Sequence, residues 1–337
     1  MMWLNKANNP YHGIDWGSVG RYRTCLHNHP AIGKGPWTPD EHIHQYKDND
    51  YDILSLTEGD AFAGVDGLTW PWGEYSTQER ETEPSLIDMI AIRGDELRRN
   101  HHFCHWFNDY FDGGAYVGHL TRLIDIAELG GLSAVAHAGR YDWDEPGNIT
   151  KEFYSWLFSD VKLKKSLLGL EVANKRFRHP EDEDLWDYLL GIFMPFRNIW
   201  GFGASDLDAA TDTGGSWNTL LMDTFVPGEE TSPVKEIIEK GRFFFSTNPV
   251  WGNTSFDAPV ITSVIVTDEG AEISGENYDT VEWISMGDVV STNTTVSFEG
   301  LDKYVRCRLT KTSNNAKTWT QPIGLYNRKY RQEIAWK

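Results

Sequence analysis

The chain has 337 residues, 40% of them hydrophobic and 13% aromatic, including 15 Trp, with a formal net charge of -19. That composition describes a folded globular protein, long enough for a large domain plus a small one, and excludes a disordered chain. The acidic balance excludes a nucleic-acid backbone as the main partner, because counterion release needs a basic surface, but leaves room for a small anionic substrate that meets local charge.

No apolar run approaches the roughly 18 residues a membrane span requires. The start, MMWLNKANNPYHG, lacks a basic segment followed by an apolar one, so a cytoplasmic protein is expected. Cys25, Cys104 and Cys307 are too scattered for a disulfide framework and read as small buried thiols.

In chain order, the first informative stretch is RTCLHNHPAIGKG, Arg23 to Gly35. Alternate residues of a strand share a face, so His27 and His29 project together from one strand end. Two imidazoles aimed at one point suit a metal, or are simply solvated beside a loop. YDILSLTEG, IDMIAIRGDE, GLSAVAHAG, LLGLEVANK and NIWGFGASD then read as buried strands. Between strands, TPDEHIHQYKDND, YVGHLTRLIDIAELGG, EDEDLWDYLLGIF and TSPVKEIIEKGRF read as helices; the second stops at Gly130-Gly131. Strand-then-helix order predicts parallel strands with crossover helices, as an open sheet or a barrel, over residues 9–250.

These strands end in ligand-capable residues: His27 and His29, Glu58 and Asp60, Glu96, His137, Glu171, and Asp206 with Asp208. In α/β folds the carboxyl ends of parallel strands gather on one face, where active sites sit. Over 256–330 the texture changes to alternating Val-, Ile- and Thr-rich runs such as APVITSVIVTDEGAEISG and KYVRCRLTKTS, which predict a small antiparallel β-sandwich.

Taken in order, NPYHGIDW, CLHNHP, TPDEHIHQYKDNDYDILSLTEGD, IRGDELRRNHHFCHWF, AVAHAGRYDW, LEVANKR, GFGASDLD and GRFFFST resemble the PHP (polymerase and histidinol phosphatase) superfamily. The likeness is to its stand-alone metal-dependent phosphoesterase-like members. It implies an α/β protein, a distorted (β/α)7 barrel with a metal cluster at the strand ends, followed here by the β-sandwich. It also implies that His27, His29, Glu96, His102, His137 and Asp206 are metal ligands, Glu96 bridging two metals, with His101 or His105 the fallback for His102. Two departures stand out: Thr57-Glu58-Gly59 replaces the family's Thr-Asp-His, and Ser205-Asp206-Leu207-Asp208 its Ser-Asp-x-His, while AIGKG supplies no extra His. All three bear on one metal site, so two divalent ions are expected, with any third held weakly by Asp60 and Asp208.

The implied activity is hydrolysis of a small phosphate ester by a hydroxide bridging two metals (Zn, Mn or Fe), with Arg140 steadying the phosphate. Asp60 or Asp208 is the expected proton donor to the leaving group. Lys175 and Arg176 are read either as further substrate contacts or as a solvated surface pair. His42, His44, His119 and His179 are read as structural or solvated. The competing functions are hydrolysis of carboxylic or carbamate esters on the same metals, and a non-catalytic binding protein on a retired barrel.

Overall fold

The computed structural model describes residues 3–4, 8–30, 38–58, 70–98, 101–111, 118–141, 150–206, 213–230, 233–250 and 256–326. The elements run β1 Trp3–Leu4, β2 Gly20–Cys25, α1 Pro39–Asp48, β3 Ile53–Leu56, β4 Ile90–Leu97, β5 Phe103–Trp106, α2 His119–Glu128 and β6 Leu132–Val135. Next come α3 Lys151–Ser159, β7 Leu167–Asn174, α4 Glu181–Phe193, β8 Trp200–Ala204, β9 Ser216–Met222, β10 Gly228–Glu229, α5 Val234–Glu239 and β11 Phe243–Thr247. The C-terminal part adds β12 Val260–Val266, β13 Gly270–Glu276, β14 Thr280–Ser285, β15 Asp288–Ser291, β16 Thr295–Ser297, β17 Lys303–Lys311, β18 Ala316–Thr320 and β19 Ile323–Tyr326.

Local signals explain the main elements. Every residue of β3 and of β7 is buried, as expected of strands covered on both faces. Helix α1 opens with Pro39, Asp40 and Glu41, and the Glu41 carboxylate accepts from the Thr38 N–H at 2.9 Å, completing half of a capping box. Helix α4 carries Glu181, Asp182, Glu183 and Asp184 in its first turn, where the helix dipole favours negative charge. No described helix is long and apolar enough to cross a membrane.

The chain builds a mixed α/β structure around a 16-stranded sheet, with a separate antiparallel sheet of β12, β13 and β16. Strands β2, β3 and β4 are parallel, as are β6, β7 and β8. Strand β5, which the sequence pattern does not foretell, pairs antiparallel with both β4 and β6. Residues 98–102 are the whole link from β4 to β5, and a parallel crossover needs about a dozen. Strand β9, also unforeseen, pairs antiparallel with β2 and β11.

Among the described residues, the edge of β8 away from β7 forms no strand ladder and is met by side-chain amides. The Asn218 amide accepts from Gly203 N–H at 2.9 Å and donates to Gly203 O at 2.7 Å. Gln321 does the same for Gly201, at 2.9 and 2.7 Å. Both amides are fully buried and satisfy backbone groups that would otherwise be orphaned. Gly203 has to be glycine here, since a Cβ would lie 2.5 Å from Trp217 O.

The C-terminal strands are antiparallel, as their texture implies, and β18 hydrogen-bonds directly to β11. Their inward residues, among them Ile261, Val264, Ile273, Trp283, Val305 and Leu309, form one apolar cluster with Leu221 and Phe244. A buried polar knot fastens this layer to α4. Arg306, fully buried, lies 2.9 Å from Glu183 and 2.5 Å from Asp187, and Trp319 Nε1 donates to Glu183 at 2.9 Å. A charge so enclosed is tolerated only when its partners are this close. Cys25, Cys104 and Cys307 are all buried and free.

Candidate metal centre

Strand ends carry the cluster. His27 and His29 follow β2, Glu96 lies on β4, His102 precedes β5, His137 follows β6, Glu171 lies on β7 and Asp206 follows β8. His137 and Asp206 leave their strands with positive φ, 29° and 45°, a region costly for residues other than glycine. Groups from other strand ends hold both turns: His137 N–H donates to Glu171 Oε2 at 3.0 Å, and Asp206 N–H donates to His27 O at 2.9 Å.

The donor atoms meet at short range. His27 Nε2 lies 3.1 Å from His29 Nε2, 3.3 Å from Glu96 Oε1 and 3.7 Å from Asp206 Oδ1. His29 Nε2 lies 3.2 Å from Asp206 Oδ1 and 3.4 Å from Glu96 Oε2. Glu96 Oε1 also meets His102 Nδ1 at 2.8 Å and His137 Nε2 at 3.1 Å. Glu96 therefore sits at the centre of the donor set, with Oε1 facing His27, His102 and His137 and Oε2 facing His29.

This set fits divalent metals. Ligand bonds of about 2.1 Å at tetrahedral angles separate neighbouring donors by about 3.4 Å, which is the spacing of His27, His29, Glu96 and Asp206. Imidazole and carboxylate together suit Zn, Mn or Fe. Nδ1 of His27 is engaged by Glu171 at 2.6 Å, the usual outer partner of a metal-bound histidine, which leaves Nε2 as the inward donor.

Electrostatics bind the cluster tightly. Burial opposes charge on His27, yet Cys104, Glu171, Glu96 and Asp206 around it hold its pKa well above the ordinary histidine value. Burial likewise favours protonated carboxyls, but His27, His102 and His137 keep Glu96 well below the carboxylate range. Asp206 is depressed against its burial by His27, His29 and His137. Burial keeps His102 below the usual histidine value, against the pull of Glu96.

The cluster floors a cleft of about 670 Å³. Of the residues expected to act on substrate, Arg140 and Lys175 line it, and Lys175 Nζ lies 3.5 Å from Asp206 Oδ2. Arg140 rides on a short 3-10 turn after His137, seated on α4 where Asp182 accepts from Gly139 N–H at 2.6 Å. Arg176 is not among the lining residues. It is buried, and its guanidinium donates to Asn248 O at 3.0 Å and Val250 O at 2.7 Å. Asp60 and Asp208 lie outside the described residues.

Arg98, Arg178 and His179 line the cleft although the sequence pattern assigned them no part in the site, and His179 was read as solvated or structural. Arg98 carried a signal: it stands two residues after Glu96, on the same face of an extended segment. The fallback histidines are elsewhere, His101 bonded to Tyr154 Oη at 2.9 Å and His105 buried beside Tyr110. His42 is structural, meeting Asn28 Oδ1 at 2.6 Å and so pinning the residue between the first two ligands.

No protein-family model matches this chain, and no curated protein matches it. Among solved structures, a two-domain protein from Bacteroides vulgatus containing a predicted PHP-like metal-dependent phosphoesterase matches with a TM-score of 0.56. The match covers 96% of this chain and 99% of that one, at 14% identity. The chain shares the fold of that two-domain protein. An amidohydrolase from Chromobacterium violaceum, solved with bound sulfate and no metal, matches at a TM-score of 0.39 and 16% identity, over 64% of this chain and 96% of that one. The resemblance read from the sequence agrees with the end-to-end match to the Bacteroides vulgatus protein.

Proposed function

We propose that this protein is a metal-dependent hydrolase acting on a small phosphate ester through two divalent ions held by His27, His29, Glu96, His102, His137 and Asp206. The observation that supports the reading is the central carboxylate: Glu96 turns one oxygen to His27, His102 and His137 and the other to His29. Divalent ions held by these residues would supply water activated for attack near neutral pH. The protein's own part is orientation and charge. Glu171 aims His27, and the Arg140 guanidinium at the cleft wall is suited to bidentate contact with phosphoryl oxygens. Lys175 and Arg178 add cations to a cleft whose described carboxylates are Glu96 and Asp206. That local charge favours an anionic substrate on a chain of net charge -19. Asp60 or Asp208 is proposed as the proton donor to the leaving group.

The reading takes residues 9–250 as a distorted barrel closed where β8 meets Asn218 of β9, and 256–330 as an accessory sandwich. The test is metal content by plasma mass spectrometry on protein purified without chelator, beside a His27→Ala, His29→Ala double variant. About two ions per chain, partly lost in the variant, with turnover of p-nitrophenyl phosphate or its diester exceeding that of p-nitrophenyl acetate, supports it. Absence of metal after soaking in Zn and Mn overturns it, and preference for the acetate moves the activity to carboxylic esters.

A further inference from the structure

The C-terminal layer meets both segments that carry the exposed arginines of the cleft, and it does so through one side chain. Trp319, fully buried on β18, donates from Nε1 to Glu183 in the first turn of α4 at 2.9 Å. Its ring also packs on Phe177, with centroids 5.4 Å apart. On β11, the Phe245 ring stacks on the indole at 5.1 Å and fixes its plane.

Gly139, which precedes Arg140, is pressed against the start of α4. A Cβ there would lie 2.6 Å from Glu181 Oε1 and 2.7 Å from His179 Cβ, and Asp182 accepts from Gly139 N–H at 2.6 Å. A shift of α4 therefore carries Arg140 with it. Glu183, the next residue of that turn, is held by Arg306 and Arg308 at 2.9 and 2.7 Å as well as by Trp319.

Phe177 immediately precedes Arg178 and ends a run of three left-handed residues. Such strain persists only where surrounding contacts over-determine it. Here they include Lys175 N–H to Ala204 O at 3.1 Å, Arg178 N–H to Asn174 O at 3.0 Å, and the Phe177 ring against Trp319 and Lys317 Nζ, the latter 4.5 Å from its centre.

We infer that Trp319 is a positioning residue for the cleft arginines, acting on Arg140 through Glu183 and α4 and on Arg178 through Phe177. The inference rests on the phosphoester reading above and gives the C-terminal layer a part in substrate binding. Both arginines are exposed at the cleft, so where their guanidinium groups reach depends on where the backbone sets them. A misplacement of about 1 Å, introduced far from the chemistry, costs up to about 100-fold in rate. Among the described residues, the side-chain contacts of Trp319 run to Glu183, Phe177 and Phe245 and not to the metal-binding donors, so substrate affinity and metal affinity separate.

The test is steady-state hydrolysis of p-nitrophenyl phosphate by the Mn-loaded full-length chain, for wild type, Trp319→Phe and Trp283→Phe, with the Mn Kd of each from isothermal titration. Both substitutions keep an aromatic ring and delete one indole N–H at a fully buried position; that of Trp283 donates to Asn293 O at 3.0 Å within the C-terminal layer. Trp319→Phe is expected to raise KM about 5–20-fold, with kcat and the Mn Kd within about twofold, whereas Trp283→Phe leaves all three within about twofold. In an Arg140→Gln, Arg178→Gln background the effect of Trp319→Phe is expected to shrink to about twofold or less, because residues that act through one another do not add. A KM in Trp319→Phe no higher than in Trp283→Phe, a full effect persisting in that background, or weakened Mn binding in Trp319→Phe would overturn the positioning role and leave the hydrolase reading in place. Wild type that fails to turn over the ester would instead overturn the phosphoester reading and this inference with it. If Trp319→Phe does not fold, Phe177→Leu, which removes the ring that meets Trp319, is judged by the same comparisons.

Discussion

Glu171 accepts a 2.6 Å hydrogen bond from Nδ1 of His27. Its other oxygen accepts from His137 N–H at 3.0 Å and from Asn174 Nδ2 at 2.8 Å. One buried carboxylate on β7 thus sets the His27 tautomer and holds the strained turn that presents His137. Such outer partners typically govern metal affinity by 10–100-fold.

Glu171→Gln keeps the shape of the side chain and loses its charge. Metal affinity is expected to fall about 10–100-fold with little change in circular dichroism. The Kd from titration with Mn or Zn checks this. An unchanged value would show that His27 is oriented by its other contacts.

Neighbouring cations should separate by role. Arg140→Gln is expected to lower kcat/KM about 10–100-fold, the loss of a charge-assisted hydrogen bond to substrate of roughly 1.5–3 kcal/mol. Arg176→Gln is expected to leave kcat/KM within about twofold and to lower stability by about 1–3 kcal/mol, since Asn248 O and Val250 O lose their donor. Steady-state kinetics on the ester found by screening, with urea unfolding, would expose the opposite assignment.

Asp182 makes stability depend on pH. Burial pushes its carboxyl well above the usual range, although Gly139 N–H pulls the other way. A raised folded pKa gives a stabilising contribution that is complete below the unfolded value of about 3.9 and is lost as pH climbs through the folded value. Asp182→Asn has no such proton to lose. Its Tm relative to wild type is expected to be near zero at pH 4 and to rise by about 1–3 °C at pH 8. Thermal scans at both pH values check this; an offset equal at the two would place Asp182 in its charged form throughout.

Much of the candidate site was legible from where apolar runs give way to polar residues, as at Glu96, His137, Glu171 and Asp206. His27 and His29 were paired by their spacing, although both lie just past the end of β2. The helices α2, α4 and α5 were legible from apolar spacing and their end signals. Strand β5 was hidden, because FCHW is too short to show alternation and sits among histidines that drew a chemical reading. The side-chain amides of Asn218 and Gln321 at the edge of β8 have no sequence signature, since an isolated Asn or Gln looks like any surface amide.

The misplacement of Arg176 has a local cause. Lys175, Arg176 and Phe177 leave β7 in the left-handed region, with φ of 42°, 62° and 62°, so alternation ends at the strand and Arg178 instead of Arg176 reaches the cleft. Sequence by itself determined which donors and cations exist and which strand ends carry them, because chemistry and periodicity are local. Only the tertiary structure decided which of them meet. His27 and Glu171 are 144 residues apart, and Arg98 and His29 are 69. Contact over such distances along the chain is set by strand order and packing, which no local pattern encodes.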